Sequence, residues 1–278
     1  MNKTLYYDDG KNALRISKFD KFEGETRFNQ LAAKFVVQGS ETYVVNGKQF
    51  CVNQGEYILG NCEQLSEVII KEQAVGLCLD ISNKIIEEIV NTLYDNSDLN
   101  TFLLEDKFLI NKYKSQNTTF GHRLQLLSKA IMENNSDSIL MSELFYGLGE
   151  NVVVDQALIF EQFSKLNFKN QEVNEATFRN LLTTKTYIDD CFQDALNIDE
   201  LLEVARMSKF AFIRLFKTTF GISPYQYILQ KRLIYAKSEL LLGKRIMDVA
   251  IDAGFSDTAA FSKAFKQCFG LPPSRLKS

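Results

Sequence analysis

The chain has 278 residues, of which 45% are hydrophobic and 24% charged, and its formal net charge is −3. This length suits two domains, and the composition excludes a disordered or fibrous protein. No apolar run reaches the ~20 residues that cross a bilayer, and the N-terminus lacks a signal-peptide pattern, so we expect a cytoplasmic protein without a membrane partner. One histidine, His122, and five cysteines without a CxxC pair exclude a multi-histidine or zinc-knuckle site. We therefore expect no catalytic residue, metal or cofactor.

The charge is distributed unevenly along the chain. Residues 1–175 carry 17 Lys and Arg against 25 Asp and Glu, whereas residues 176–278 carry 15 against 10. From Arg206 to the end the counts are 13 against 4. A basic tail behind an acidic front predicts a polyanionic partner for the tail, although a solvated basic face would give the same counts.

Short alternating or apolar segments fill the first eighty residues. Between two of them, Asn46-Gly47 is the signal of a type I′ hairpin turn. Segments this short and closely spaced predict an antiparallel barrel or sandwich. The predicted strands are residues 13–19, 34–37, 42–45, 48–52, 56–59, 68–70 and 74–79.

From about residue 83 the apolar spacing becomes helical. One stripe consists of Ile85, Ile86, Ile89, Val90 and Leu93, and another of Phe120, Leu124, Leu127 and Ile131. Such stripes face either the core or a subunit interface, and sequence does not separate the two. The polar stretch 167–174 is the predicted linker, followed by a helix from residue 175 to about residue 191.

The tail contains an internal repeat. The pattern F-x3-F-K-x2-F-G-x2-P begins at Phe212 and again at Phe261, with every position offset by 49 residues. Upstream, Ile198, Leu201, Leu202 and Ser208 match Ile246, Val249, Ala250 and Ser256 with an offset of 48. Two copies of one supersecondary unit are hard to obtain by chance.

Each copy is predicted to form a short helix, a tight turn and a second helix, which is the helix-turn-helix motif. Ser208 is the predicted N-cap of the second helix in the first copy, its hydroxyl accepting a first-turn amide, and Ser256 or Asp257 is the cap in the second copy. Gly254 suits the left-handed conformation that ends a helix. The two units span about 198–220 and 246–269, and a long helix starting at Pro224 joins them.

A helical wheel separates two faces of each second helix. The predicted core faces carry Phe212, Phe216 and Phe220 in the first copy and Phe261, Phe265 and Phe269 in the second. The opposite faces carry Phe210, Arg214 and Lys217 in the first copy and Ala259, Lys263 and Lys266 in the second. In a helix-turn-helix this face enters the major groove of DNA. Two ordinary amphipathic helices are the alternative, which the repetition of cap, core and cation spacing disfavours.

The C-terminal hundred residues resemble the DNA-binding domain of the AraC/XylS family of bacterial transcription regulators. The resemblance covers residues 174–277 and rests on residues 187–188, 208–224 and 246–273. The chain departs from the family pattern at Leu202, where alanine is usual, and at Arg206, where glycine is frequent. The strand-rich front is similar, at the level of fold, to the cupin-type sensor domain of this family.

The resemblance assigns recognition helices to residues 209–219 and 257–269. The DNA-binding residues that it implies are Ser208, Lys209, Phe210, Ile213, Arg214 and Lys217 in the first unit, and Asp257, Thr258, Ala259, Lys263 and Lys266 in the second. Lys217 and Lys266 are expected to contact phosphates, which position the protein. Base reading is expected of Phe210, Ile213 and Arg214 in the first helix and of Thr258, Ala259 and Lys263 in the second.

The resemblance also implies partners. Double-stranded DNA and RNA polymerase are expected for the tail, a small-molecule effector for the front barrel, and a second copy of the chain for the helices that follow. Lys34, Lys48 and Lys71 are candidate contacts to an anionic effector, although each is expected to be exposed to solvent.

The sequence therefore predicts an α+β protein. A cupin-like antiparallel β-barrel sensor occupies residues 1–82, a helical connector and dimerisation region residues 83–168, and an all-α DNA-binding domain of two helix-turn-helix units residues 174–278. The predicted function is sequence-specific, effector-responsive transcription regulation. The alternative is a ligand-binding or scaffold protein whose helix-turn-helix pair does not read DNA sequence. An enzyme lacks a supporting set of residues.

Overall fold

The computed structural model describes residues 2–8, 11–28, 30–45, 47–61, 64–104, 112–133 and 141–276. The chain divides into two compact units, residues 1–161 and residues 162–278. Strands and helices form the first unit, and the described part of the second is helical. In the ranges given, no helix is both long and apolar enough to cross a membrane.

The described strands of the first unit form two antiparallel sheets. Their bounds are β1 (Asn2–Tyr7), β2 (Ala13–Phe19), β3 (Phe22–Phe28), β4 (Leu31–Gln38), β5 (Ser40–Val45), β6 (Lys48–Asn53), β7 (Glu56–Gly60), β8 (Gln64–Ile70), β9 (Ala74–Ile81) and β10 (Lys112–Lys114). One sheet has the order β1-β2-β9-β4-β7-β10 and the other β3-β8-β5-β6. All seven predicted strands fall within observed ones, and β1, β3 and β10 are additional to the prediction.

The antiparallel β-fold is confirmed: of the barrel or sandwich that the strand pattern predicts, the structure has two separate sheets, although the cupin-like domain was expected as a barrel. No backbone pairing joins the two sheets within the described residues, and side chains from both fill one core. That core includes Phe28, Ala32, Val36, Tyr43, Val45, Val52, Ile58, Val68, Ile70 and Ala74. Gly60 lacks the Cβ that would collide with the ring of Phe28, so this ring can be fully buried against β7.

The hairpin between β5 and β6 has the predicted register, because Val45 lies opposite Lys48. Gly47 has a φ of +71°, which a type I′ turn requires. Asn46, the other residue of the predicted turn, lies outside the described residues.

Helices of the first unit follow the last long strand. They are α1 (Asn83–Leu93), α2 (Ser97–Leu104), α3 (Thr119–Met132) and the beginning of α4 (Met141–Ser164). The predicted stripes are buried at Ile85, Ile86, Ile89, Val90, Phe120, Leu124 and Leu127. Leu93 is instead 47% exposed because α1 ends there. β10 pairs with β7, so the first sheet includes residues beyond position 82.

Six helices of the second unit are described in addition to the end of α4. They are α5 (Gln171–Cys191), α6 (Ile198–Ala205), α7 (Lys209–Phe220), α8 (Pro224–Leu241), α9 (Ile246–Asp252) and α10 (Thr258–Phe269). α5 begins four residues before the predicted start, because the side chain of Asn170 accepts hydrogen bonds from the amides of Glu172 and Val173. Residues 171–174, half of the predicted linker, are therefore the first turn of a helix.

The long helix α8 has a well-defined beginning. Ser223 and Gln226 form a capping box, in which each side chain bonds to the backbone amide of the other residue. Pro224 occupies the first helical position, where its missing amide hydrogen is not needed. The predicted connection between the repeats is thus one uninterrupted helix. The apolar side chain of Ile234 on this helix is 54% exposed.

Candidate nucleic-acid interface

The first helix-turn-helix unit consists of α6, a turn and α7. Asn197 caps α6 by accepting the Glu200 amide at 2.9 Å, and Arg206 ends it in the left-handed conformation with a φ of +53°. Ser208 occupies the N-cap of α7, but its side chain makes no capping hydrogen bond, so the predicted hydroxyl cap is wrong. The helix begins instead through the backbone, since the Ser208 carbonyl accepts the Phe212 amide at 2.9 Å.

The second unit, α9 to α10, has a tighter turn. Gly254 has a φ of +77°, as predicted for a helix end. Of the two candidate caps, Asp257 is used, because its carboxylate accepts the Ala260 amide at 2.7 Å. This hydrogen bond holds the pKa of Asp257 below its ordinary value. The carboxylate therefore stays ionised at the beginning of α10.

Matching aromatic clusters hold α7 and α10 in place. Phe212 and Phe216 are fully buried, as are Phe261 and Phe265, and Phe220 and Phe269 are half-buried. The ring centroids of the first pair are 5.5 Å apart and those of the second pair 5.4 Å apart, and the rings of both pairs meet edge to face. The predicted core face is thus found in both copies, with the same spacing.

The opposite faces of α7 and α10 are open to solvent. The predicted site residues Lys209, Phe210, Ile213, Arg214 and Lys217 are all exposed on α7, as are Thr258, Ala259, Lys263 and Lys266 on α10. Ser208 and Asp257 are exposed at the two N-caps. Within the described residues, none of the five cations on these faces makes an ion pair. Each helix therefore presents uncompensated positive charge beside small or apolar side chains.

One arginine on α8 connects three parts of the second unit. Arg232 donates from Nε to the Phe192 carbonyl at 2.7 Å, from Nη1 to the Gly254 carbonyl at 2.8 Å, and from Nη2 to the Asp194 carbonyl at 2.8 Å. Partial burial lowers the pKa of Arg232, but guanidinium stays charged at every working pH. Sequence reasoning missed this role, because helical periodicity marks Arg232 only as a polar position.

A second polar network joins the end of α5 to the start of α8. Asp189 accepts hydrogen bonds from Tyr227 at 2.6 Å and Lys185 at 3.4 Å, and pairs with Lys231 at 2.8 Å. Burial favours a raised pKa for Asp189, yet the positive charge of Lys185 and hydrogen bonds from Lys231 and Tyr227 outweigh it and lower the pKa. This network fixes α8, and hence the spacing of the two units.

In the first unit, Lys34 is only 8% exposed, so the expectation that this lysine is exposed to solvent is wrong. It lies in the middle of β4, between β7 and β9, where both faces of the sheet are covered. Lys71 is exposed as expected, and the side chain of Lys48 lies outside the described residues. His122 is exposed on α3 and, with Asp155, lines a groove of about 650 Å³.

Comparison with known proteins identifies the repeat. A family model described as a helix-turn-helix domain matches residues 201–278. The chain is 32% identical over 170 residues to the probable transcriptional regulator LumQ of Photobacterium leiognathi, covering 60% of this chain and 63% of LumQ. The C-terminal unit therefore carries a helix-turn-helix domain.

Other curated relatives match a shorter part of the chain. The virulence regulon transcriptional activator VirF of Yersinia enterocolitica is 37% identical over 89 residues, which are 28% of this chain and 33% of VirF. The match thus covers between a third and just under two thirds of these curated relatives. Among solved structures, ToxT from Vibrio cholerae O395, bound to a naphthalenyl butenoic acid, is 14% identical with a TM-score of 0.35 and covers 95% of this chain and 97% of its own.

Proposed function

We propose that this protein is a sequence-specific DNA-binding transcription regulator. The proposal rests on one observation above all: α7 and α10 present exposed cations without ion-pair partners among the described residues, each held by the same phenylalanine core. Neutralising DNA phosphates releases counterions, which favours binding of such faces. The similarity of the chain to named transcription regulators supports this function.

The two helices read adjacent segments of the major groove. Phe210, Ile213 and Arg214 contact bases from α7, and Thr258, Ala259 and Lys263 from α10. Lys217, Lys266 and Lys209 contact phosphates, and Ser208 and Asp257 lie at the helix starts, where α-helices approach the groove floor. α8 has 18 residues, and its length of about 27 Å is of the order of the ~34 Å helical repeat that separates two such sites.

The remaining roles in the proposal come from the family resemblance. The strands of residues 1–82 sense a small-molecule effector, the helices of residues 83–168 mediate homodimerisation, and RNA polymerase is a partner of the DNA-bound protein. The first unit shifts the equilibrium of the chain toward or away from its DNA-binding state. The protein acts in the cytoplasm, on the chromosome, and catalyses no reaction.

Selection of binding sites from a pool of random duplexes tests the function. The full chain, at moderate salt, should enrich two sequence blocks whose centres lie about ten base pairs apart. The double variant R214A/K263A is the matched control, since it removes one exposed cation from each helix and leaves both cores intact. Failure of the full chain to enrich any sequence would favour the scaffold alternative.

A further inference from the structure

The two repeats share a scaffold but present different side chains at equivalent positions. With the offset of 49 residues, Phe210 corresponds to Ala259, and Ile213 corresponds to Ser262. Phe210 is 80% exposed and Ile213 is 37% exposed, whereas Ser262 is half-buried. An exposed pair of large apolar side chains is therefore a property of α7 that α10 does not share.

This apolar pair lies among cations. Phe210 and Ile213 are three residues apart, and Phe210 and Arg214 four apart, so the three share one side of the first two turns of α7. Lys209 precedes them and Lys217 follows one turn later. Positively charged groups thus border an apolar patch, and a ligand that covers this patch would release water from its surface.

The major groove of DNA offers the complementary chemistry. Thymine is the base that presents a methyl group there, between two rows of phosphates, and apolar side chains contact that methyl. An RNA duplex lacks this methyl, and its major groove is too deep and narrow for side chains to read. The N-terminal residues of a recognition helix, where Phe210 lies, are the ones that reach base edges.

We propose that α7 reads thymine 5-methyl groups through Phe210 and Ile213, beside the base that Arg214 contacts. The block of the DNA site bound by α7 is therefore rich in thymine, and its composition differs from that of the block bound by α10. This inference rests on the proposed function and specifies the base chemistry that the first unit recognises.

Replacement of thymine by deoxyuridine is the test, because it removes the methyl and keeps every hydrogen-bonding group. The duplex is one recovered in the selection above, and the α7 block is the one whose preference changes in R214A. The full chain should bind about fourfold more weakly for each contacted thymine in that block that is replaced, as expected for the loss of one buried methyl. The readout is the Kd by fluorescence anisotropy with labelled duplexes.

Variants assign the effect to Phe210. F210A should bind the unmodified duplex more weakly and lose most of its sensitivity to deoxyuridine, whereas F210L, which keeps an apolar side chain, should retain part of it. The matched control T218A changes an exposed residue of α7 outside the proposed contacts and should keep full sensitivity in the α7 block. Because Phe210 is 80% exposed and Thr218 is also exposed, all three variants should keep a melting temperature close to that of the parent chain.

Several outcomes would overturn the inference. Equal binding of thymine and deoxyuridine duplexes by the parent chain would exclude methyl recognition while leaving sequence-specific binding intact. If replacing thymine by deoxyuridine weakens binding by F210A as much as it weakens binding by the parent chain, the methyl contact belongs to another residue. A selection that enriches no sequence would overturn the proposed function as well. It differs from the other two outcomes, which both require that a preferred duplex has been recovered.

Discussion

Arg232 on α8 donates a hydrogen bond of 2.8 Å to the carbonyl oxygen of Gly254, which lies 22 residues further along in the turn of the second helix-turn-helix unit. The same guanidinium holds the carbonyls of Phe192 and Asp194, just beyond α5. The turn before α10 is thereby fastened both to the connecting helix and to the segment that precedes α6. Together with the buried rings of Phe261 and Phe265, this side chain therefore helps to fix the position of α10.

We expect R232K to be less stable than the parent chain. Lysine has the charge but not the planar fork that reaches three carbonyls at once, so at least one acceptor loses its partner, and the loss should be about 2 kcal/mol. Urea unfolding followed by far-UV circular dichroism measures it, since the chain has no tryptophan. K263A, at an exposed site of α10, should stay within about 0.5 kcal/mol of the parent. Equal midpoints for R232K and K263A would refute the role of Arg232.

Two glycines with left-handed backbones should respond differently to alanine. Gly221 has a φ of +81° and nothing within 4 Å of an added Cβ, so G221A should cost only the conformational strain, about 1–2 kcal/mol. Gly254 has a φ of +77°, and its added Cβ would lie 2.6 Å from the Gln193 carbonyl oxygen. G254A should therefore be the less stable variant by about 1–3 kcal/mol more. The same urea titration compares them, and a smaller loss for G254A than for G221A would contradict the close approach.

Arg206 lies 48 residues before Gly254 and occupies the equivalent turn position with a φ of +53°. A side chain in this conformation is strained, whereas glycine adopts it freely at some cost in unfolded-chain entropy. R206G should thus be as stable as the parent chain or more stable, by up to about 1 kcal/mol. Thermal unfolding checks the sign, and a clear drop in melting temperature would show that the Arg206 side chain makes a stabilising contribution.

Base and phosphate contacts should separate in binding assays. K217Q and K266Q should weaken binding about equally for all sequences and each reduce the slope of log Kd against log salt by about 1. R214A and K263A should instead relax the preference at a few base positions, by ~1–3 kcal/mol each. Kd values for selected and scrambled duplexes at several salt concentrations distinguish the two classes. An unchanged base preference in R214A would argue against a base contact by Arg214.

The network around Asp189 should make stability depend on pH in the acid range. The cations that surround this carboxylate hold its pKa below the unfolded value of about 3.9. Its contribution is therefore complete above that value and is lost as the pH falls through the folded pKa. D189N should be less stable than the parent at pH 7, and the difference should shrink below about pH 4. Urea unfolding between pH 7 and pH 2 tests this, and a difference that stays constant over the range would contradict it.

Local patterns were sufficient for the helix-turn-helix scaffold. Phe212 and Phe216 recur at helical spacing beside Gly221, and the same arrangement returns 49 residues later, so periodicity and turn chemistry agree with each other. Strand β3 was missed because its alternating positions hold Glu23, Glu25 and Arg27 beside a glycine, which weakens the apolar signal. Strand β10 has only three residues and is extended because it pairs with the edge of β7, which its own sequence does not indicate.

Long-range contacts account for the other differences between prediction and structure. Whether strands close into a barrel depends on pairing between residues far apart in sequence, which alternation does not encode. The burial of Lys34 depends on which strands flank β4. The three acceptors of Arg232 lie 22 to 40 residues away in sequence, and neither helical nor strand periodicity predicts hydrogen-bond partners at such separations.

If the chain reads DNA as proposed, the aromatic cores behind α7 and α10 have a consequence for how its DNA preference changes during evolution. The side chains that fasten each helix lie on one face, and those proposed to meet bases lie on the other, where they make no ion pairs with the described residues. Substitutions at the outer positions therefore leave folding largely unaffected, and a new binding site can be acquired one base at a time. The duplicated unit lets one half keep an old site while the other changes.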